Sequence, residues 1–284
     1  MPTAQLRDIL VYYEEAGSGD PLVLIMGLGC DLQGWALQVP ELSKHYRVIT
    51  FDNRGAGRTS APDLPYSIAG MAQDTIALMD RLGIEKASVL GFSMGGFIAQ
   101  ELALAHPNRV DKLILLASAP YIDGYTRTVV RGLIDARRSN MSREQIVRLT
   151  SAFLYSPELL DDEERYEKSI LNSLANQWPQ QDHAFIRQAR AVLEFDARDR
   201  LSNIKQPTLV VGGKDDALLP IRNSQRLARL IPNATLKELP GGHVGAMEYP
   251  NEYNQAFLEF LGAGAKEEAE AVAGEGAPAA GYRP

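Results

Sequence analysis

Three residue types in this chain are spaced to do acyl-transfer chemistry together: a serine at a sharp corner, a histidine after a turn, and an aspartate after an apolar run. Ser93 lies in Gly91-Phe92-Ser93-Met94-Gly95-Gly96, between a run of β-forming residues and a helical pattern from Gly95 to His106. Strand, turn and helix in such close succession force the serine into a strained backbone conformation and hold its hydroxyl outward. Side chains at 91 and 95 would collide with the neighbouring strand and helix, which accounts for both glycines. A hydroxyl is a poor nucleophile near neutral pH, so it needs a base within hydrogen-bond reach and a third group to hold that base.

The chain has four histidines. His45, in a polar stretch, reads as solvated. His106, before Pro107, reads as a helix-end cap, and His183, in a helical stretch, as a surface residue. His243 follows Leu239-Pro240-Gly241-Gly242, a turn directly after the last strand, at the sheet edge where crevices form. For the acid, Gly212-Gly213-Lys214-Asp215-Asp216 follows the apolar Leu209-Val210-Val211. Adjacent aspartates point in roughly opposite directions, so one of the two faces His243 and the other serves a turn or a helix cap.

The elements that must position these groups alternate between strand and helix. Strands are predicted over Asp8–Glu15, Leu22–Met26, Val48–Phe51, Ala87–Gly91, Leu113–Ala117 and Thr208–Val211 and around Leu236. Gly17-Ser18-Gly19-Asp20 reads as a hairpin turn between the first two. Helices are predicted around Trp35, Leu37, Val39 and Leu42, and over Ile68–Leu82, Gly95–His106, Pro220–Ile231 and Asn251–Leu261. Such alternation gives an α/β fold, a mostly parallel sheet flanked by helices and joined by right-handed crossovers. From Tyr121 to Lys205 only helical periodicity appears, with Pro157 and Pro179 as helix starts. The expected organisation is a core over 1–120 and 206–262, a helical cap over 121–205, and a disordered tail over 263–284 with too little apolar surface to order.

At 284 residues and 45% hydrophobic, the chain has enough material for a sizeable core. Its net charge of -7 gives no electrostatic reason to expect nucleic acid or an anionic membrane as partner. The single cysteine, Cys30, rules out an intramolecular disulfide and leaves no Cys-based zinc site. The first residues lack the basic start and apolar core of a signal peptide, and no run is long enough to span a bilayer, so a cytoplasmic protein is expected. The run Asp52-Asn53-Arg54-Gly55-Ala56-Gly57-Arg58-Thr59 fits neither the dinucleotide-binding nor the lysine-bearing phosphate-loop pattern.

Over roughly residues 5 to 262 the chain resembles the α/β-hydrolases of the esterase and lactonase type, including 3-oxoadipate enol-lactonase-like enzymes and small carboxylesterases. The matching pieces are Asp52 to Thr59, Gly91 to Gly96, Gly213-Lys214-Asp215-Asp216 through Pro220, and Gly242-His243 with Glu248 and Pro250. The order serine, acid, histidine is also that of the family. The resemblance selects Asp216 over Asp215 as the orienting acid. It implies a cofactor- and metal-independent serine hydrolase acting on a small-molecule ester or lactone, with Ser93 as nucleophile and His243 as general base and acid. The backbone N–H groups of Leu28 and Met94 would form the oxyanion hole. The family also holds carbon–carbon bond hydrolases and perhydrolases with the same triad, and by fold alone a ligand receptor retaining the triad is a further reading. Where the family usually carries His-Gly after the third strand, this chain has Met26-Gly27. Met26 is accordingly expected to line an apolar substrate pocket, with Cys30 and Phe92.

Overall fold

The computed structural model describes residues 2–263. In chain order it runs β1 (Thr3–Leu6), β2 (Ile9–Ala16), β3 (Pro21–Ile25), a 3₁₀ turn (Leu32–Trp35), α1 (Val39–Leu42), β4 (Arg47–Phe51), α2 (Ile68–Arg81), β5 (Ala87–Phe92), α3 (Met94–Ala105) and β6 (Val110–Leu116). Five helices follow without a named strand among the described residues: α4 (Gly124–Arg138), α5 (Arg143–Leu154), α6 (Pro157–Asp161), α7 (Glu163–Ala175) and α8 (Asp182–Leu193). The chain then completes the sheet with β7 (Thr208–Gly213), α9 (Arg222–Leu230), β8 (Ala234–Leu239), α10 (Gly245–Glu248) and α11 (Pro250–Leu261). The tail expected to be disordered lies, beyond Ala263, outside the described residues.

The eight strands form one sheet in the order β1-β2-β4-β3-β5-β6-β7-β8. β1 and β2 join at one edge antiparallel, and every pairing from β4 onward is parallel. The apolar central strands are covered on both faces, and their period-2 alternation sorts side chains between two cores. Val23, Ile25, Val89, Leu113, Leu115 and Val210 join the core that includes Met71 of α2 and Phe97 of α3. Leu22, Leu24, Leu90, Ile114, Leu116, Leu209 and Val211 join the opposite core with Trp35, Leu42 and, from α11, Tyr253 and Phe257. Most of these strand residues are at most 2% exposed, and each fully buried aliphatic side chain contributes on the order of 1.5–3 kcal/mol relative to exposure.

Three expectations are corrected. Gly17–Asp20 is not a hairpin turn, because β4 lies between β2 and β3 and pairs with both. The hairpin is instead β1–β2, turning at Arg7 and Asp8, with Arg7 at φ 40°. The stretch around Trp35 is not one amphipathic helix; it breaks into the 3₁₀ turn and α1, and Pro40 fits only within the first turn of the second piece because it has no N–H to donate. Leu37, between the two, is 48% exposed. Pro157 does open α6, whereas Pro179 lies in the connection before α8.

Candidate active site

β5 delivers Ser93 directly into α3, and the corner holds the serine at φ 54°, ψ −115°. Two hydrogen bonds fix it there: Ser93 N–H donates to the Leu116 carbonyl at 2.8 Å, and the Ser93 carbonyl accepts the Gly96 N–H at 2.9 Å. A Cβ on Gly91 would lie 2.2 Å from the Gly95 oxygen, and one on Gly95 would lie 2.0 Å from the Ile25 oxygen. Neither position has room for any other residue, because backbone cannot yield by that much.

Three segments far apart in sequence converge on that corner. His243 Nε2 lies 3.0 Å from Ser93 Oγ, and His243 Nδ1 lies 2.8 Å from Asp216 Oδ2. The other oxygen of Asp216 accepts the backbone N–H groups of Leu218 and Leu219 at 2.9 and 2.7 Å. Asp216 and His243 are nearly fully buried, whereas Asp215 is exposed. Of the remaining histidines, His183 is exposed and His45 half-buried. His106 does cap the C-terminus of α3, but its ring Nε2 faces the Gln73 amide nitrogen at 2.7 Å.

Leu28 and Met94 both border the cavity at Ser93. Among the described residues, neither of their backbone N–H groups has a hydrogen-bond partner. A Cβ on Gly27 would lie 3.1 Å from the Ser93 Cβ, so the 27–28 backbone passes in contact with the serine. Two residues whose role is not apparent in the sequence hold this loop. Asn53 Nδ2 donates to the Met26 carbonyl at 2.8 Å. The fully buried Asp52 accepts Leu32 N–H at 2.8 Å through one oxygen and Arg58 N–H and Nε–H at 2.8 and 3.0 Å through the other. Burial pushes the Asp52 carboxyl above the usual carboxylate range, against the hydrogen bonds from Arg58 and Leu32. The glycine-rich 52–59 run thus wraps around its own aspartate, and the available signal was an Asp-Asn pair directly at the end of β4.

The cavity has a volume of about 840 Å³. Besides Ser93 and His243 it is bordered by Phe92, Cys30 and Leu28 and by residues of the five-helix stretch, among them Leu133 (α4), Ile146 (α5), Asn172 (α7) and Phe185 (α8). Phe92 packs on the His243 ring, with centroids 5.1 Å apart. Desolvation and the neighbouring Asp31 push the Cys30 thiol up to about 12, which favours its neutral form. Met26 is corrected: it does not border the cavity. It is 1% exposed within the core that holds Leu22, Leu24 and Trp35, and its Cε occupies the space where a side chain on Gly34 would begin. Among the described residues no group of three or more His, Cys, Asp or Glu is placed to hold a metal ion, and no helix is long and apolar enough to cross a membrane.

Residues 20–250 match the family model of the alpha/beta hydrolase fold. A protein of Azorhizobium caulinodans named "Putative carbamate hydrolase RutD" is 33% identical over 271 residues, covering 92% of this chain and 98% of the relative. Among solved structures, the enol-lactonase from Burkholderia xenovorans LB400 superposes with a TM-score of 0.85 at 28% identity, covering 92% of this chain and 99% of the other. A meta-cleavage product hydrolase from Pseudomonas fluorescens IP01 superposes with a TM-score of 0.79 at 29% identity, covering 92% and 97%. With an elbow serine, a parallel sheet behind it and these relatives, the chain belongs to the α/β-hydrolase fold family and is a hydrolase.

Proposed function

We propose that this chain is a serine hydrolase that cleaves a carboxylic ester or lactone through an acyl-enzyme. The observation that carries the reading is the continuous hydrogen-bonded line from Asp216 through His243 to Ser93, ending at the cavity. Ser93 Oγ attacks the carbonyl carbon while His243 Nε2 takes its proton, and Asp216 holds the ring with Nδ1–H toward itself and stabilises the imidazolium. The N–H groups of Leu28 and Met94, which border the cavity at Ser93, donate to the oxygen as it becomes negative. One such donor is worth about 10²–10³ in turnover. His243 returns the proton to the departing alkoxide, and the same base then activates water to release the acid.

The helices between 121 and 205 act in this reading as a cap, whose α4 and α8 side chains supply an apolar wall for the substrate. A cytoplasmic site of action belongs to the same proposal, supported by a single cysteine that no disulfide framework requires. The relative's name bears on the choice of substrates, because a carbamate carbonyl would meet the same serine.

The test compares the protein with Ser93→Ala, using a fluorophosphonate probe and a panel of p-nitrophenyl esters, a lactone and a p-nitrophenyl carbamate. The expected result is one labelled site and steady ester turnover, both absent in Ser93→Ala. Labelling that survived in the variant would mean another nucleophile. Faster turnover of the carbamate than of every ester would move the substrate class. Binding without turnover of any member would favour a receptor.

A further inference from the structure

Pro240-Gly241-Gly242-His243 is a poor support for a base that must keep two hydrogen bonds at once. Two glycines directly before the histidine leave the backbone many conformations, so whatever holds that backbone also places the ring. The N–H groups on either side of His243 are both held. Val244 N–H donates to the Leu154 carbonyl, at the end of α5, at 3.2 Å. Gly242 N–H donates to Glu248 Oε1 at 3.0 Å. The same carboxylate reaches the helical insertion, accepting Ser156 N–H at 3.2 Å on Oε1 and the Ser156 hydroxyl on Oε2. Ser156, 1% exposed, also caps α6 by accepting the Leu159 N–H. A Cβ at Gly242 would lie 2.5 Å from the Leu154 oxygen, so the two backbones touch and only glycine fits between them.

We propose that Glu248 is a positioning residue for His243, acting through the Gly242 N–H and itself held by Ser156, so that the helical insertion helps to place the base. The proposal rests on the serine-hydrolase reading above. Glu248 does not border the cavity, so its effect reaches the chemistry only through the loop. Its carboxylate meets three donor groups and offers acceptors to all of them. A glutamine there keeps one acceptor oxygen for the Gly242 and Ser156 N–H groups, loses the negative charge that strengthens those bonds, and turns an NH₂ toward the Ser156 hydroxyl, which must then accept instead of donate.

The experiment measures kcat and KM on p-nitrophenyl butyrate for the protein, Glu248→Gln, Ser156→Ala, the double variant and Ser93→Ala, with active sites counted by fluorophosphonate titration. In Glu248→Gln, kcat per titrated site is expected to fall on the order of 10- to 100-fold, the scale for small misplacement of a reacting group, with KM within about twofold. Ser156→Ala should lose kcat by a smaller factor, and the double variant should be no worse than Glu248→Gln by more than about twofold, since the serine acts through the glutamate. An unchanged kcat per titrated site in Glu248→Gln, with only fewer active molecules, would overturn the proposal and leave Glu248 a stability residue. Losses that multiplied in the double variant would overturn the link to Ser156. If Glu248→Gln does not fold, Ser156→Ala decides: a lower kcat at constant KM supports the proposal, and an unchanged kcat overturns it. Turnover persisting in Ser93→Ala would instead remove the serine reading, and this proposal with it.

Discussion

Asp216 gives one carboxylate oxygen to His243 Nδ1 at 2.8 Å and the other to the backbone N–H groups of Leu218 and Leu219. The carboxylate is thus held by its own loop as well as by the ring. A carboxylate held by main-chain donors cannot rotate away from the ring without losing two hydrogen bonds, so the geometry is set before substrate arrives.

Asp216→Asn should therefore lower turnover by about four decades, because an amide stabilises the wrong tautomer and supplies no charge to the imidazolium. Asp215→Asn, at an exposed position, should stay within about twofold. Steady-state kinetics on both variants decides the matter, and a comparable loss at Asp215 would reverse the assignment.

Asn53→Ala removes the donor to the buried Met26 carbonyl. The expected cost is about 1–3 kcal/mol, the range for stranding one buried polar group. Turnover should fall as well, because the loop carrying Leu28 loses an anchor. Urea unfolding and kcat are read side by side; unchanged stability would show that the carbonyl finds another partner.

Met26→Ala should behave as a core truncation, costing about 2–5 kcal/mol, while relative kcat/KM across an acyl-length series stays flat. The basis is its complete burial beside Leu24 and Trp35, away from the cavity. A shifted acyl profile would return Met26 to the pocket.

Leu133→Ala, on the α4 wall of the cavity, should move the preferred acyl chain to greater length. Short esters should lose about 10- to 200-fold in kcat/KM, corresponding to about 1–3 kcal/mol of lost apolar contact. The same series checks this, and an unaltered optimum would assign the α4 side to the departing alcohol.

The part of the fold set by local pattern was readable in the chain alone. Ser93 at a strand–helix corner, the helices α2, α3, α9 and α11, the central strands and a helical stretch between β6 and β7 all follow from side-chain period and turn residues, which act over a few positions. Even the place of Met26 was partly written there. It continues the alternation of Leu22 and Leu24, whose face is the one packed on Trp35 and α11, and that regularity is the signal for a core residue.

What the chain by itself determined is which residues carry reactive groups and which segments can be strands or helices, because those properties depend on residue type and near neighbours. Tertiary structure alone decided which of these segments meet. The crossover that puts β4 between β2 and β3, the Asn53 to Met26 bond and the Glu248 to Ser156 bond join residues that are distant in sequence. No periodicity encodes such pairings. They are chosen when the strands find the one order that buries both faces of the sheet, and the polar groups brought together by that packing must then satisfy one another.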